Sequence, residues 1–253
     1  EYSCFMLDNG SVKCWGKNES GQLGLGDTNN RGDGSGEMGD NLPSVDLGSG
    51  RTAKVIASGD SHTCAILDNA SIKCWGKNES GQLGLGDTSN RGDGSNEMGD
   101  NLPSVDLGSG RTARAIAAGS SHTCAVLDNL LVKCWGENPY GQLGLGDTNN
   151  RGDGSNEMGD NLPAVDLGSG RTAKSITTGT GYTCVLLDDN SVKCWGRGNF
   201  GQLGTGEVFN VTSPNNVIDL GTGRTATAIA AGNNHACAIL DNSSIKCWGL
   251  NNS

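Results

Sequence analysis

Between Ser61 and Gly86 the chain reads SHTCAILDNASIKCWGKNESGQLGLG: two short apolar bursts around a polar turn, then a glycine-rich tail. Strand side chains alternate with period two. The bursts therefore predict strands at His62 to Leu67 and Ser71 to Trp75, joined by a three-residue loop at Asp68, Asn69 and Ala70. That loop sets Leu67 opposite Ser71, Ile66 opposite Ile72 and Cys64 opposite Cys74. Cys64, Ile66, Ile72 and Cys74 then share one face, and Ala65, Leu67 and Trp75 the other. Both faces are apolar, so both must be covered. A two-sheet sandwich would leave one face polar, whereas a radial stack of small sheets covers both, which predicts an all-β chain folded as a β-propeller. One detail fits less well. This loop type favours glycine at its third position. Gly10 supplies it in one copy, but Ala70, Leu130 and Ser243 do not.

The stretch occurs five times. The first cysteines fall at 4, 64, 124, 184 and 237, and the second always ten residues later, each opening Cys-Trp-Gly. Hairpins are expected around 1–16, 61–76, 121–136, 181–196 and 234–249 of a single repeat array covering 1–253. In the first four copies Gly-Gln-Leu-Gly follows. A small-residue strand such as Ala53 to Ser58, ending at Gly59, precedes the hairpin, and Pro43 to Leu47 with its equivalents makes a fourth strand.

These residues resemble the regulator-of-chromosome-condensation repeat family. The marks are the strand His62 to Leu67, the turn Asp8 to Gly10, the Trp-Gly pair and the tail Asn78 to Gly84, recurring in register along the whole chain. The resemblance implies a propeller of seven blades. Here about five blades of four antiparallel strands are expected, as an arc of a longer array that starts at a second strand and stops after a third. No leader opens the segment, as expected for a chain beginning in mid-repeat.

Ten cysteines in five matched pairs leave none over. Zinc sites use closer spacings with four converging ligands, and a redox motif would read Cys-x-x-Cys. Opposed hairpin positions instead lie within disulfide range. The expected staples are Cys4–Cys14, Cys64–Cys74, Cys124–Cys134, Cys184–Cys194 and Cys237–Cys247; buried free thiols are the alternative. Staples place the protein outside the cytosol, extracellular or at the cell surface. Asn9, Asn18, Asn69, Asn78, Asn210, Asn242 and Asn251 open Asn-x-Ser/Thr acceptors, candidates for glycosylation.

Acidic inserts at 26–43, 86–103 and 146–163 are dense in oxygen donors: Asp27, Asn29, Asp33, Glu37 and Asp40, then Asp87, Asp93, Glu97 and Asp100, then Asp147, Asn149, Asp153, Glu157 and Asp160. Two readings stand: calcium ligands, or aspartates that cap their own turns. Three Arg-Gly-Asp triplets, starting at Arg31, Arg91 and Arg151, are short enough to recur by chance. His62, His122 and His235 are replaced by Tyr2 and Tyr182 in the other copies, an exchange that a wall residue accepts and a general base does not.

Net charge is −10 from 18 basic and 28 acidic residues. That argues against a nucleic-acid surface, which needs a basic stripe. No long apolar run predicts membrane insertion, and no nucleophile elbow or phosphate loop predicts an enzyme. The sequence thus points to a non-catalytic extracellular scaffold glycoprotein in a larger assembly. Its partners would be other protein chains, copies of itself or glycans, with no cofactor unless calcium. Two alternatives are a secreted propeller binding one protein or glycan ligand and, by fold analogy, a guanine-nucleotide exchange factor.

Overall fold

The computed structural model describes residues 2–251. It is all-β apart from one-turn 3-10 helices at Gly39–Asn41, Gly99–Asn101 and Gly159–Asn161. The first sheet pairs β1 (Tyr2–Met6) with β2 (Val12–Gly16). Four three-stranded antiparallel sheets follow: β3–β5 (Ala53–Ser58, His62–Leu67, Ile72–Gly76), β6–β8 (Ala113–Ala118, His122–Leu127, Val132–Gly136), β9–β11 (Ala173–Thr178, Tyr182–Leu187, Val192–Gly196) and β12–β14 (Ala226–Ala231, His235–Leu240, Ile245–Gly249).

The hairpin register is the one the pattern dictates: Cys64 opposes Cys74 and Ile66 opposes Ile72, with the same pairing in every copy. The third loop residue adopts positive φ each time: Gly10 +77°, Ala70 +64°, Leu130 +66°, Asn190 +66° and Ser243 +66°. Ala70, Leu130 and Ser243 therefore occupy the left-handed region that the loop demands, despite their Cβ atoms.

The two faces of each hairpin enter two different cores. Cys64, Ile66, Ile72 and Cys74 pack against Ala125, Leu127 and Trp135 of the next sheet. Ala65, Leu67 and Trp75 pack back against Val12, Cys14 and Leu23. Two further cores repeat the arrangement along the chain. Each core thus belongs to a seam between blades rather than to one blade, as in a propeller.

The fourth strand is reduced to a touch. Residues 43–47 are not a ladder strand; Val45 N–H donates to Val12 O (2.8 Å), and Val105, Val165 and Ile218 do the same in later copies. Pro43 removes a donor at this outer edge, and the chain leaves the blade after one bond.

Candidate interaction site

The repeated tail is the joint between blades. Gln82 O accepts from Thr123 Oγ1 (2.9 Å) and from Trp135 Nε1 (3.1 Å), both in the following copy. Gln22 O does the same for Thr63 and Trp75, and Gln142 O for Thr183 and Trp195. The indole can reach because a glycine stands beside it: a Cβ on Gly84 would lie 2.8 Å from Trp135 Nε1. Three tryptophans, Trp75, Trp135 and Trp195, are fully buried in this way. The sequence marks these residues as repeated, but no pattern shows that they join one blade to the next.

The histidines are part of the same joint. His62 Nε2 lies 2.9 Å from Thr123 Oγ1, and His122 Nε2 lies 3.0 Å from Thr183 Oγ1. Thr123 and Thr183 give their protons to glutamine carbonyls, so each imidazole donates. Burial lowers the pKa of His62 to about 4 and that of His122 to about 3, because the charged form cannot be solvated there. Tyr2 and Tyr182 reach across instead to backbone carbonyls, Tyr2 to His62 O (2.5 Å) and Tyr182 to Gly232 O (2.9 Å) and His235 O. His62 and His122 are wall residues, which explains why tyrosine replaces histidine in two copies; His235 is exposed.

All five expected disulfides form, and no described cysteine is free. Every one is internal to a hairpin.

The acidic inserts do not converge on a cation. Among the described residues no three His, Cys, Asp or Glu side chains are grouped to hold a metal. The carboxylates are spent individually. Asp27 Oδ1 accepts from Asn29 N–H (2.9 Å), and its Oδ2 pairs with Arg31 (2.6 Å). Asp87 and Asp147 repeat the ion pair, and Asn149 N–H donates to Asp147. Glu37 Oε2 gathers Gly32 N–H and Gly34 N–H, bonds that hold its carboxyl below the usual range; Glu97 and Glu157 close their loops identically. Asp33 accepts at the edge of hydrogen-bond range from Asn30, and Asp40 is exposed. Asp100 and Asp160 clasp the preceding copy through Ser49 and Ser109. The backbones of Asp93 and Asp153 press on Gly21 and Gly81, where a Cβ would collide. In the inserts these carboxylates cap turns and clasp neighbouring blades, the second of the two readings offered by the sequence. The second and third Arg-Gly-Asp triplets are folded into the blades: Arg91 folds onto Asp87, and Gly92 and Gly152 are buried with their carbonyls accepting from Gly26 and Gly86 N–H, whereas Gly32 and Asp33 of the first are exposed.

The glycosylation candidates divide. Asn18 and Asn78 are fully buried; Asn18 Nδ2 donates to Asp27 O (2.8 Å) and Asn29 O (3.0 Å), while its Oδ1 accepts from Leu23 N–H. No glycan fits on either amide in the folded chain, and the equivalent Asn138 shows that the position is a tail-folding residue. Asn9, Asn69, Asn210, Asn242 and Asn251 are exposed, although Ser253, which completes the last acceptor, lies outside the described residues. Asn9, Asn69 and Asn242 use Oδ1 to hold the turn serine.

Sequence reasoning passed over a lysine in every third strand. Lys73 is buried and donates to Leu47 O (3.0 Å) and Gly99 O (2.7 Å), tying two copies together; Lys133 repeats this. Burial lowers the pKa of both. The signal was its fixed place before each Cys-Trp-Gly.

The loops entering each second strand meet around the axis. There Ser58, Asp60, Ser120, Thr180 and Asn233 line a polar cavity of about 200 Å³. A larger cleft of about 830 Å³ lies between Tyr2, Trp15, Lys17 and Asp60. Among the described residues no helix is long and apolar enough to cross a membrane.

The chain matches the regulator of chromosome condensation (RCC1) repeat over residues 9–66, 74–126, 132–186 and 189–239. It is 29% identical to the Arabidopsis thaliana ultraviolet-B receptor UVR8 over 243 residues, 95% of this chain and 49% of that one. It is 31% identical to human HERC4, a probable E3 ubiquitin-protein ligase, over 77% of this chain but 17% of that one. The chain thus spans about half of the first relative or less. Among solved structures, Prp20p of Saccharomyces cerevisiae superposes over 98% of this chain and 56% of its own, with TM-score 0.74 and 20% identity. The ectodomain of the Arabidopsis thaliana receptor kinase ACR4 superposes with TM-score 0.51 and 21% identity, over 98% of this chain and 60% of its own. With its four in-register repeat matches and the joint that those repeats build, the chain belongs to the regulator of chromosome condensation (RCC1) repeat family.

Proposed function

We propose that the chain is a non-catalytic protein-interaction scaffold of an extracellular or cell-surface assembly. The observation that carries this reading is the five hairpin disulfides, one per blade, a framework that persists in oxidising compartments. Exposed acceptor asparagines on three hairpin turns fit the same surroundings. The near-identical first three copies offer one surface several times over, which suits repeated neighbours in an assembly. Protein partners agree with the relatives: Prp20p was crystallised with Kap60, and its binding to Gsp1p and histones is described. An ectodomain, that of ACR4, is among the chains that superpose on this one, which fits the reading.

The test is electron microscopy of native, unreduced particles, with cysteine alkylation and mass mapping before reduction. Joined arcs or rings with every cysteine paired are the expected result. Isolated discs would replace the assembly by a monovalent binder of one protein or glycan. Alkylated, reduced cysteines would sink the extracellular placement.

A further inference from the structure

The tail face is not uniform. In the first two copies the residues after Cys-Trp-Gly are Lys-Asn-Glu-Ser, and Lys17–Glu19 and Lys77–Glu79 form exposed ion pairs at 2.9 Å. In the third and fourth copies the serine position holds Tyr140 and Phe200, and the fourth has Arg197 where Lys17 and Lys77 stand. The guanidinium of Arg197 sits between the two rings, 5.3 Å from the centroid of Tyr140 and 5.0 Å from that of Phe200. Its Nε is buried without a hydrogen-bond partner, and no carboxylate reaches it among the described residues. Glu137, on the same tail as Tyr140, has Lys77 as its electrostatic partner. Beside the clamp, the backbone of Phe209 lies hard against Gly198. Phe200, Phe209 and Val208 are 37%, 58% and 69% exposed.

We propose that Tyr140, Arg197 and Phe200 form a docking site for a partner protein segment that presents an Asp or Glu carboxylate next to an apolar side chain. An arginine without a carboxylate partner, its guanidinium over the Tyr140 and Phe200 rings, matches a carboxylate's two oxygens. The stacking orders the long side chain before binding, which lowers the entropic cost of association. Aromatic residues and arginine are also the types that dominate binding energy at interfaces. Phe200, Phe209 and Val208 give the neighbouring apolar side chain a surface to cover. The guanidinium is the local feature that selects a carboxylate, acting at contact against the long-range repulsion of a chain of net charge −10. This surface rests on the interaction reading above and names where on the propeller one partner docks.

The probe is a random heptapeptide phage library panned on the full chain. Selected peptides are then titrated in solution by fluorescence anisotropy. The substitutions Arg197→Lys, Tyr140→Ser and Phe200→Ser each install the residue that the first two copies carry at the same position, so folding is preserved; near-ultraviolet circular dichroism checks this. Enrichment of Asp or Glu beside a bulky apolar residue is expected. Each substitution should weaken binding about tenfold, as should changing the peptide's carboxylate to an amide. Arg197→Lys keeps the charge, so its effect isolates the guanidinium's forked donors and its contact with the two rings. Enriched peptides without a carboxylate, or binding indifferent to the three substitutions, would overturn this site and leave the scaffold reading to its own test by microscopy. Failure to enrich any peptide would overturn the site as well.

Discussion

The seam between the second and third copies and the seam between the fourth and fifth are built on one plan with different parts. In the former, His62 meets Thr123, Thr123 and Trp135 share Gln82 O, and everything is buried. In the latter, Ala236 stands where threonine would, Gln202 O accepts from Trp248 alone (3.0 Å), and Tyr182 replaces histidine to reach backbone carbonyls. Alanine here goes with tyrosine, although tyrosine also accepts threonine opposite it, as Tyr2 does where Thr63 Oγ1 donates to its hydroxyl (2.8 Å). A histidine facing Ala236 would leave a buried Nε2–H unpaired, at a cost of about 1–3 kcal/mol, whereas the longer tyrosine passes the alanine and finds a carbonyl. The joint is therefore a set of coupled polar residues rather than a list of independent contacts.

The largest test of this comparison is the indole. Trp135→Ala should cost about 3–5 kcal/mol in chemical denaturation, because a fully buried ring leaves a cavity. Trp248→Ala, in the half-buried seam, should cost clearly less; equal losses would mean that the two seams are equivalent.

Proton linkage separates the seams next. His62 and His122 titrate at about 4 and about 3 when folded, below the unfolded value of about 6.5. The unfolded chain therefore binds more protons, and stability is complete above pH 6.5 and falls as pH drops toward 4. Each histidine contributes a slope of up to about 1.4 kcal/mol per pH unit. The seam with Tyr182 contributes none in that range. A melting temperature unchanged between pH 7 and 4.5 would refute the buried neutral imidazoles.

Each disulfide closes a loop of the same length, so each should contribute about 2–3 kcal/mol on the loop-entropy model. Accessibility differs: Cys124 and Cys134 are fully buried, whereas Cys247 is exposed. Graded reduction followed by alkylation should open Cys237–Cys247 before Cys124–Cys134.

A smaller effect tests the coupling itself. Thr183→Ala should cost about 1–3 kcal/mol by stranding His122, and adding His122→Tyr should recover most of it by copying the Tyr182 and Ala236 arrangement. Additive losses in the double variant would refute the coupling. The smallest effect lies in the turns. Leu130→Gly should stabilise by about 1 kcal/mol, because Leu130 is held at φ +66°. Asn190→Gly at the same angle should gain less, since asparagine tolerates that region.

How much was legible follows from the range of each interaction. The hairpins, their register and the five cysteine pairs follow from local spacing, because antiparallel neighbours ten residues apart are fixed by period two and loop length. The propeller class follows from two apolar faces on one hairpin. The fourth strand was over-read: Pro43 to Leu47 looks like a strand by composition, but a single bond from Val45 is all that the blade edge offers it. The density of acidic residues is legible in the sequence, but which N–H groups and arginines those carboxylates serve is decided only when the loops fold. Asn18 and Asn78 satisfy the acceptor rule in sequence, and only the folded tail shows them enclosed. The sequence by itself determined the repeat, the hairpin and the staples, since each depends on residues within one turn of chain. Tertiary structure decided what the shared residues are for. Gln82, Thr123, Trp135 and His62 are brought together across up to 73 positions by blade stacking, a distance over which no local pattern carries information.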